Sequence, residues 1–140
     1  MMLHRPMVTF MRLPCRRLVR CLLTVLALAP ALPAFAAPAE CDIAIGFAQI
    51  VVNAGEQTMT ARNAIPASDL AASSRIPAID AARYAKACNC PEAIPPLADA
   101  ALAAQRTAHA VNLTAVQQYG ETIKKGGEQS IAALKRCAAR

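Results

Sequence analysis

Cys41-Asp42-Ile43-Ala44-Ile45-Gly46-Phe47-Ala48-Gln49-Ile50-Val51-Val52-Asn53-Ala54 is the stretch whose reading decides the fold class. Ile43, Phe47, Ile50, Val51 and Ala54 recur at helical intervals and lie along one face of an α-helix. Ile45, Val52 and Met59 widen that face into a broad apolar stripe. A strand would alternate every second residue instead, and apart from Ile50-Val51-Val52 no run of β-branched residues is present. The helix is expected to continue to about Arg62, where Asn63 and Pro66 end it. Asp42 is placed near its start, where the helix dipole favours an acid.

Downstream the same period continues. Ser68-Asp69 can cap a short helix over Leu70-Ala71-Ala72. Pro77 fits the first turn of another, carrying Ile79, Ala82, Tyr84 and Cys88; the pattern does not separate two helices from one kinked helix. Pro95-Pro96 opens a longer helix. In it Leu97, Ala101, Ala104, Ala108, Val111 and Ala115 alternate by four and three, a seam suited to a neighbouring helix. Leu102, His109, Leu113, Val116 and Ile123 form a second stripe beside it. Gly120, Gly126 and Gly127 weaken a helix, so a turn is expected near 126–127. A last helix then passes through Ile131, Leu134 and Cys137. The chain is rich in alanine, a strong helix former, and contains no internal repeat. The expected fold is all-α: one small up-and-down bundle of three to five helices. Its alanine seams let helix axes approach toward the lower end of the ~8–10 Å range.

The segment before the bundle has the order of a secretory leader. Arg5, Arg12, Arg16, Arg17 and Arg20 come first, with no acid among them. The apolar run Cys21–Ala29 follows, then Pro30 and Pro33, then Ala34-Phe35-Ala36, an A-x-A site that a signal peptidase can accept. Residues 1–36 are therefore expected to be a signal peptide cleaved between Ala36 and Ala37, leaving 37–140 as a single helical domain. Met11 is a second candidate start. A retained membrane anchor is disfavoured, because the uninterrupted apolar core is about half the ~20 residues a spanning helix needs. Arg16-Arg17 resembles a twin-arginine signal only loosely, since Arg20 stands where that pattern takes an apolar residue. Lipidation at Cys41 is disfavoured by Pro38-Ala39-Glu40 before it. The expected location is the periplasm or the extracellular space.

Removing the leader changes the charge balance. The full sequence carries fifteen basic and nine acidic residues, for +6. Five of the basic residues and none of the acids precede Ala37, so the remainder holds ten against nine, a net +1. The isoelectric point near 9.3 therefore belongs to the leader and is no footprint of nucleic-acid binding. Stacking platforms are scarce as well: Phe47, Tyr84 and Tyr119 are the aromatics after residue 36.

Four cysteines follow the leader: Cys41, Cys88, Cys90 and Cys137. An even number in a small exported domain reads as a set of structural disulfides. In an up-and-down bundle Cys41, Cys88 and Cys90 fall at one end, and Cys137 joins them if the last helix runs back to that end. A Cys88–Cys90 link would be a strained small ring, which leaves Cys41–Cys88 with Cys90–Cys137, or Cys41–Cys90 with Cys88–Cys137. The alternative use is soft-metal or zinc binding, or thiol redox chemistry, by Cys88 and Cys90 with Cys41 or Cys137. Paired zinc-finger spacings are missing, as is C-x-x-C for a thioredoxin-like or haem site.

Other chemistry is sparse. His109 is the one histidine after the leader, and Asp99, nearly three helical turns away, is beyond its reach; it reads as a partly buried or boundary histidine on the second stripe. The acids are scattered, without a dyad. Lys124-Lys125, Lys135-Arg136 and Arg140 read as a solvated basic face, or in a sharper version as a weak contact with anionic lipid or cell-wall polymer. Asn112-Leu113-Thr114 matches a glycosylation acceptor placed mid-helix. No catalytic residue, cofactor site or metal site is assigned. The expected role is a non-catalytic binding, structural or accessory protein. It meets a protein partner or a second copy through one side of an apolar helix stripe, with no nucleic-acid partner and no stable membrane anchor.

Overall fold

The computed structural model describes residues 37–110 and 112–140. The expected signal segment, its junction after Ala36, and the seam residue Val111 lie outside the described residues. Five α-helices follow one another among the described residues: α1 (Ala37–Thr60), α2 (Ala64–Ser73), α3 (Arg75–Ala87), α4 (Ile94–Thr107) and α5 (Leu113–Ala138). A 3₁₀ turn, Pro91–Ala93, precedes α4. No strand occurs among the described residues. α2 and α3 form one arm broken at Ser74, so the described residues make four arms. α1 packs on α3 and α5, and α4 packs on the same two helices from the other side. No described helix is long and apolar enough to cross a membrane.

The helix boundaries follow local chemistry, in places against expectation. α1 starts a turn before Cys41, so Glu40 and not Asp42 occupies its first turn. It stops at Thr60, and Asn63 is an extended link that precedes α2. Ser68 and Asp69 lie inside α2 instead of capping it, and the Ser68 hydroxyl donates back to the Ile65 carbonyl at 2.8 Å. The break at Ser74 has its cause three residues on. Pro77 has no N–H for the Ser73 carbonyl, and its ring crowds that oxygen. Ser74 is buried and donates its hydroxyl to the Ala71 carbonyl at 2.6 Å.

The largest departure is at the second hairpin. The expected continuous helix from Pro95 is not formed, since α4 ends at Thr107 and α5 begins at Leu113, and the expected turn at Gly126-Gly127 is absent because α5 runs straight through it. Asn112 sets the break: it is extended, and its side chain accepts from the Ala115 N–H at 2.8 Å as an N-cap. The glycosylation-like asparagine is thus a helix start, not a mid-helix residue.

Glycine in α5 serves close packing. A Cβ at Gly126 would lie 2.5 Å from the Pro96 carbonyl oxygen, and one at Gly127 would lie 2.7 Å from Val52 Cγ2. Gly55 and Gly120 face each other across α1 and α5, with an added Cβ at Gly55 only 2.6 Å from the Lys124 nitrogen. Axes this close leave room mainly for small side chains. The interior is accordingly alanine-rich: Ala44, Ala48, Ala78, Ala81, Ala85, Ala100 and Ala104 are fully buried among Val51, Leu97, Val116, Ile123 and Leu134. Thr58, Ser74, Thr107 and Ser130 are buried too, and each hydroxyl finds a backbone carbonyl, so no buried side-chain polar atom among the described residues is left unpaired.

Candidate functional site

The cysteine end is built by one turn of backbone. α3 closes in a Schellman arrangement: the Asn89 N–H donates to the Lys86 carbonyl and the Cys90 N–H to the Ala85 carbonyl. Asn89 takes the left-handed conformation this requires, φ 56°, which asparagine tolerates better than most residues. That reversal points Cys88 and Cys90 at different helices. Cys41 bonds Cys88, with Cα atoms 5.4 Å apart, and Cys90 bonds Cys137 at 5.8 Å. Of the two expected pairings the first is therefore the one formed. Each bridge closes one helical hairpin at its base, α1 with the α2–α3 arm and α4 with α5. The sulfurs of Cys88 and Cys90, paired in the alternative metal reading, are committed to separate bridges.

The two bridges differ in surroundings. Cys41 and Cys88 are buried against Ala44, Ala85 and Leu134. Cys90 is buried, but Cys137 is half-exposed in the last turn of α5. Glu92, the middle residue of the 3₁₀ turn, sets its Oε2 3.7 Å from Cys90 Sγ and 3.4 Å from Cys137 Sγ. Its other oxygen accepts from Arg140 at 3.1 Å. The backbone hydrogen bond to Glu92 holds its carboxyl below the usual value, and the Arg140 and Arg136 guanidinium groups add to this. Sequence reasoning missed Glu92; its position two residues after Cys90 was the available signal.

The apolar stripe of α1 divides in an unexpected way. The small residues Ala44, Ala48 and Ala54 face the core with Val51 and Val52, while the large Ile43 and Ile50 remain 43% and 49% exposed. Phe47 is half-buried and stacks on Tyr84 with ring centroids 5.8 Å apart. Outward along α1 run Ala39, Ile43, Gly46, Ile50, Asn53 and Gln57, spaced alternately by four and three, all exposed and all uncharged. Gly46 stands at its centre, and an added Cβ there would meet nothing within 4 Å. A solvated helix face ordinarily carries charges. This one does not.

Other surfaces carry less. A shallow apolar groove of about 340 Å³ between α3 and α4 is lined by Ala78, Ile79, Leu97, Ala98, Ala101 and Leu102. A polar hollow of about 460 Å³ between α4 and α5 is lined by Asp99, Glu121, Thr122 and Lys125. His109 is exposed in the α4–α5 connection instead of partly buried on a helix stripe, and its backbone N–H donates to the Arg106 carbonyl at 3.1 Å. The basic run is partly paired: Lys124 reaches Glu56 at 3.3 Å, and Arg140 holds Glu92. Comparison of the chain with family models, with curated proteins and with solved structures finds no match.

Proposed function

We propose that this chain is an exported, non-catalytic binding or accessory protein that docks a partner helix on the outer seam of α1. The observation that carries this reading is the row Ala39, Ile43, Gly46, Ile50, Asn53 and Gln57, exposed, uncharged and at the spacing of an interhelical seam. Full burial of an isoleucine is worth ~1.5–3 kcal/mol, so the half still exposed on Ile43 and Ile50 offers about 1 kcal/mol each. That is too little alone against an association cost of ~4–15 kcal/mol. The partner must therefore cover the length of the seam and supply contacts at its edges. Those edges favour a basic partner, chiefly beside Glu40 and Asp42: α1 carries Glu40, Asp42 and Glu56 and no basic residue, and Glu56 is met by Lys124 of α5. A second copy would set these acids against each other.

The two disulfides fit an oxidising compartment, and with the A-x-A site they support export to the periplasm or medium. N-terminal sequencing of the exported protein, expected to begin at Ala37, checks that part. The docking reading is tested in the native host by a photoreactive residue in place of Ile50, with Gln118 on the outer side of α5 as the control position. One discrete protein adduct from position 50 and none from 118 supports it. A crosslink between two copies, or equal diffuse labelling from both positions, overturns it.

A further inference from the structure

We propose that Cys90, Cys137 and Glu92 form a zinc site when the Cys90–Cys137 bond is reduced, so that the end of the α4–α5 hairpin alternates between a disulfide and a bound Zn²⁺. The three candidate ligand atoms already lie within 4.8 Å of one another. With Zn–S near ~2.3 Å and Zn–O near ~2.1 Å, the sulfur–oxygen edge of a tetrahedral site is ~3.6 Å. The two edges that involve Glu92 Oε2 measure 3.7 Å to Cys90 Sγ and 3.4 Å to Cys137 Sγ. The third edge requires the sulfurs to part to ~3.8 Å. Cys137 is placed to make that movement, being half-exposed one residue from the end of α5.

The carboxylate is already oriented for the task. Disulfide sulfurs have no proton to donate, so Oε2 faces two atoms with which it makes no hydrogen bond, while Arg140 holds Oε1 at 3.1 Å. Two thiolates and one carboxylate around Zn²⁺ leave one surplus negative charge, which the Arg140 guanidinium offsets as an outer partner of the ligating carboxylate. A water completes the tetrahedron. The other bridge has no comparable group: Cys41 and Cys88 are buried among alanines and Leu134.

The exchange balances with a dithiol as reductant. Its thiolate attacks the exposed Cys137 sulfur, and the bond to Cys90 breaks. The second thiol of the reductant then closes to a disulfide and frees Cys137. Two electrons and two protons pass to the protein, and Zn²⁺ displaces both protons from the thiols. Oxidation of the pair by a disulfide reverses the sequence and expels the metal.

The test uses the full mature chain reduced with a water-soluble phosphine, titrated with Zn²⁺ against a chromophoric chelator, and with Co²⁺ to read the thiolate charge-transfer band. The expected result is one zinc per reduced chain and none held by the oxidised chain. Glu92→Gln, an exposed substitution that leaves both bridges intact, is expected to weaken zinc by tenfold or more. Cys90→Ser with Cys137→Ser, which keeps the Cys41–Cys88 pair, is expected to abolish it together with the cobalt band. Zinc affinity unmoved by Glu92→Gln, or kept by the double serine variant, overturns the proposal. So does a reduced chain that takes up no zinc, whether or not it keeps its helical circular dichroism, because the site requires the hairpin end to survive reduction.

Discussion

Gly46 and Gly55 lie on the same helix, yet alanine should act in opposite directions at the two. In an exposed helix interior, glycine costs ~0.5–1 kcal/mol relative to alanine through backbone entropy. At Gly46 an added Cβ meets nothing within 4 Å, so Gly46→Ala should stabilise the protein by about that amount. At Gly55 the same Cβ would stand 2.6 Å from the Lys124 nitrogen and 2.7 Å from the Gly120 carbonyl oxygen. Both obstacles are backbone and cannot rotate aside, so α1 and α5 must move apart along their shared face. Overpacking of this kind costs ~1–3 kcal/mol, toward the upper end when backbone is displaced. Subtracting the propensity gain leaves a net loss of about 2 kcal/mol for Gly55→Ala. For a domain near this size, 1 kcal/mol moves the melting temperature by ~4–8 °C. Thermal unfolding followed by circular dichroism, with disulfides intact, should therefore show Gly46→Ala several degrees above the parent and Gly55→Ala about ten degrees below. Stabilisation of both by similar amounts would show that α1 and α5 do not approach at Gly55–Gly120, and the packing argument would fail.

Three further outcomes follow from the same geometry. Replacing Cys90 and Cys137 together by serine removes a bridge spanning 47 residues, which the chain-entropy model values at about 4 kcal/mol, read as a lower urea midpoint. Asn89→Val puts a β-branched residue at φ 56° and should cost ~1–2 kcal/mol, whereas Asn89→Gly should be nearly neutral in the same unfolding assay. Asn112→Ala removes the cap of α5 and should cost about 1 kcal/mol, with faster amide exchange confined to the first turn after Leu113.

Helical class, the first helix and the proline-led starts of α3 and α4 were legible in the sequence because each rests on local chemistry, and the meeting of Cys41 with Cys88 and Cys90 followed from the up-and-down order. Four features were not. Gly126-Gly127 reads as a helix breaker, since propensity is a local quantity and the contacts with Pro96 and Val52 that require glycine are distant in sequence. Asn112 was obscured for the converse reason: its seam neighbours Ala108 and Ala115 kept helical period, and a single cap overrode the pattern. The α1 stripe was visible as apolar, but periodicity does not tell which edge of a wide stripe is buried. Close axes decided that, admitting Ala44 and Ala48 and leaving Ile43 and Ile50 outside. The role of Glu92 needed the Schellman reversal at Asn89, which brings Cys137 beside it.

The claim that α1 is the docking face is tested most directly by affinity. The partner captured at position 50 is titrated against the parent chain, an Ile43→Glu/Ile50→Glu variant, and an Ile79→Glu/Leu102→Glu variant that marks the α3–α4 groove. All four positions are exposed, so the folds should survive. Loss of a central pair of interface anchors is worth ~2 kcal/mol or more, about 30-fold in Kd. The account predicts at least that weakening for the α1 variant and less than threefold for the groove variant. Equal affinity for the α1 variant and the parent, or loss confined to the groove variant, would contradict it.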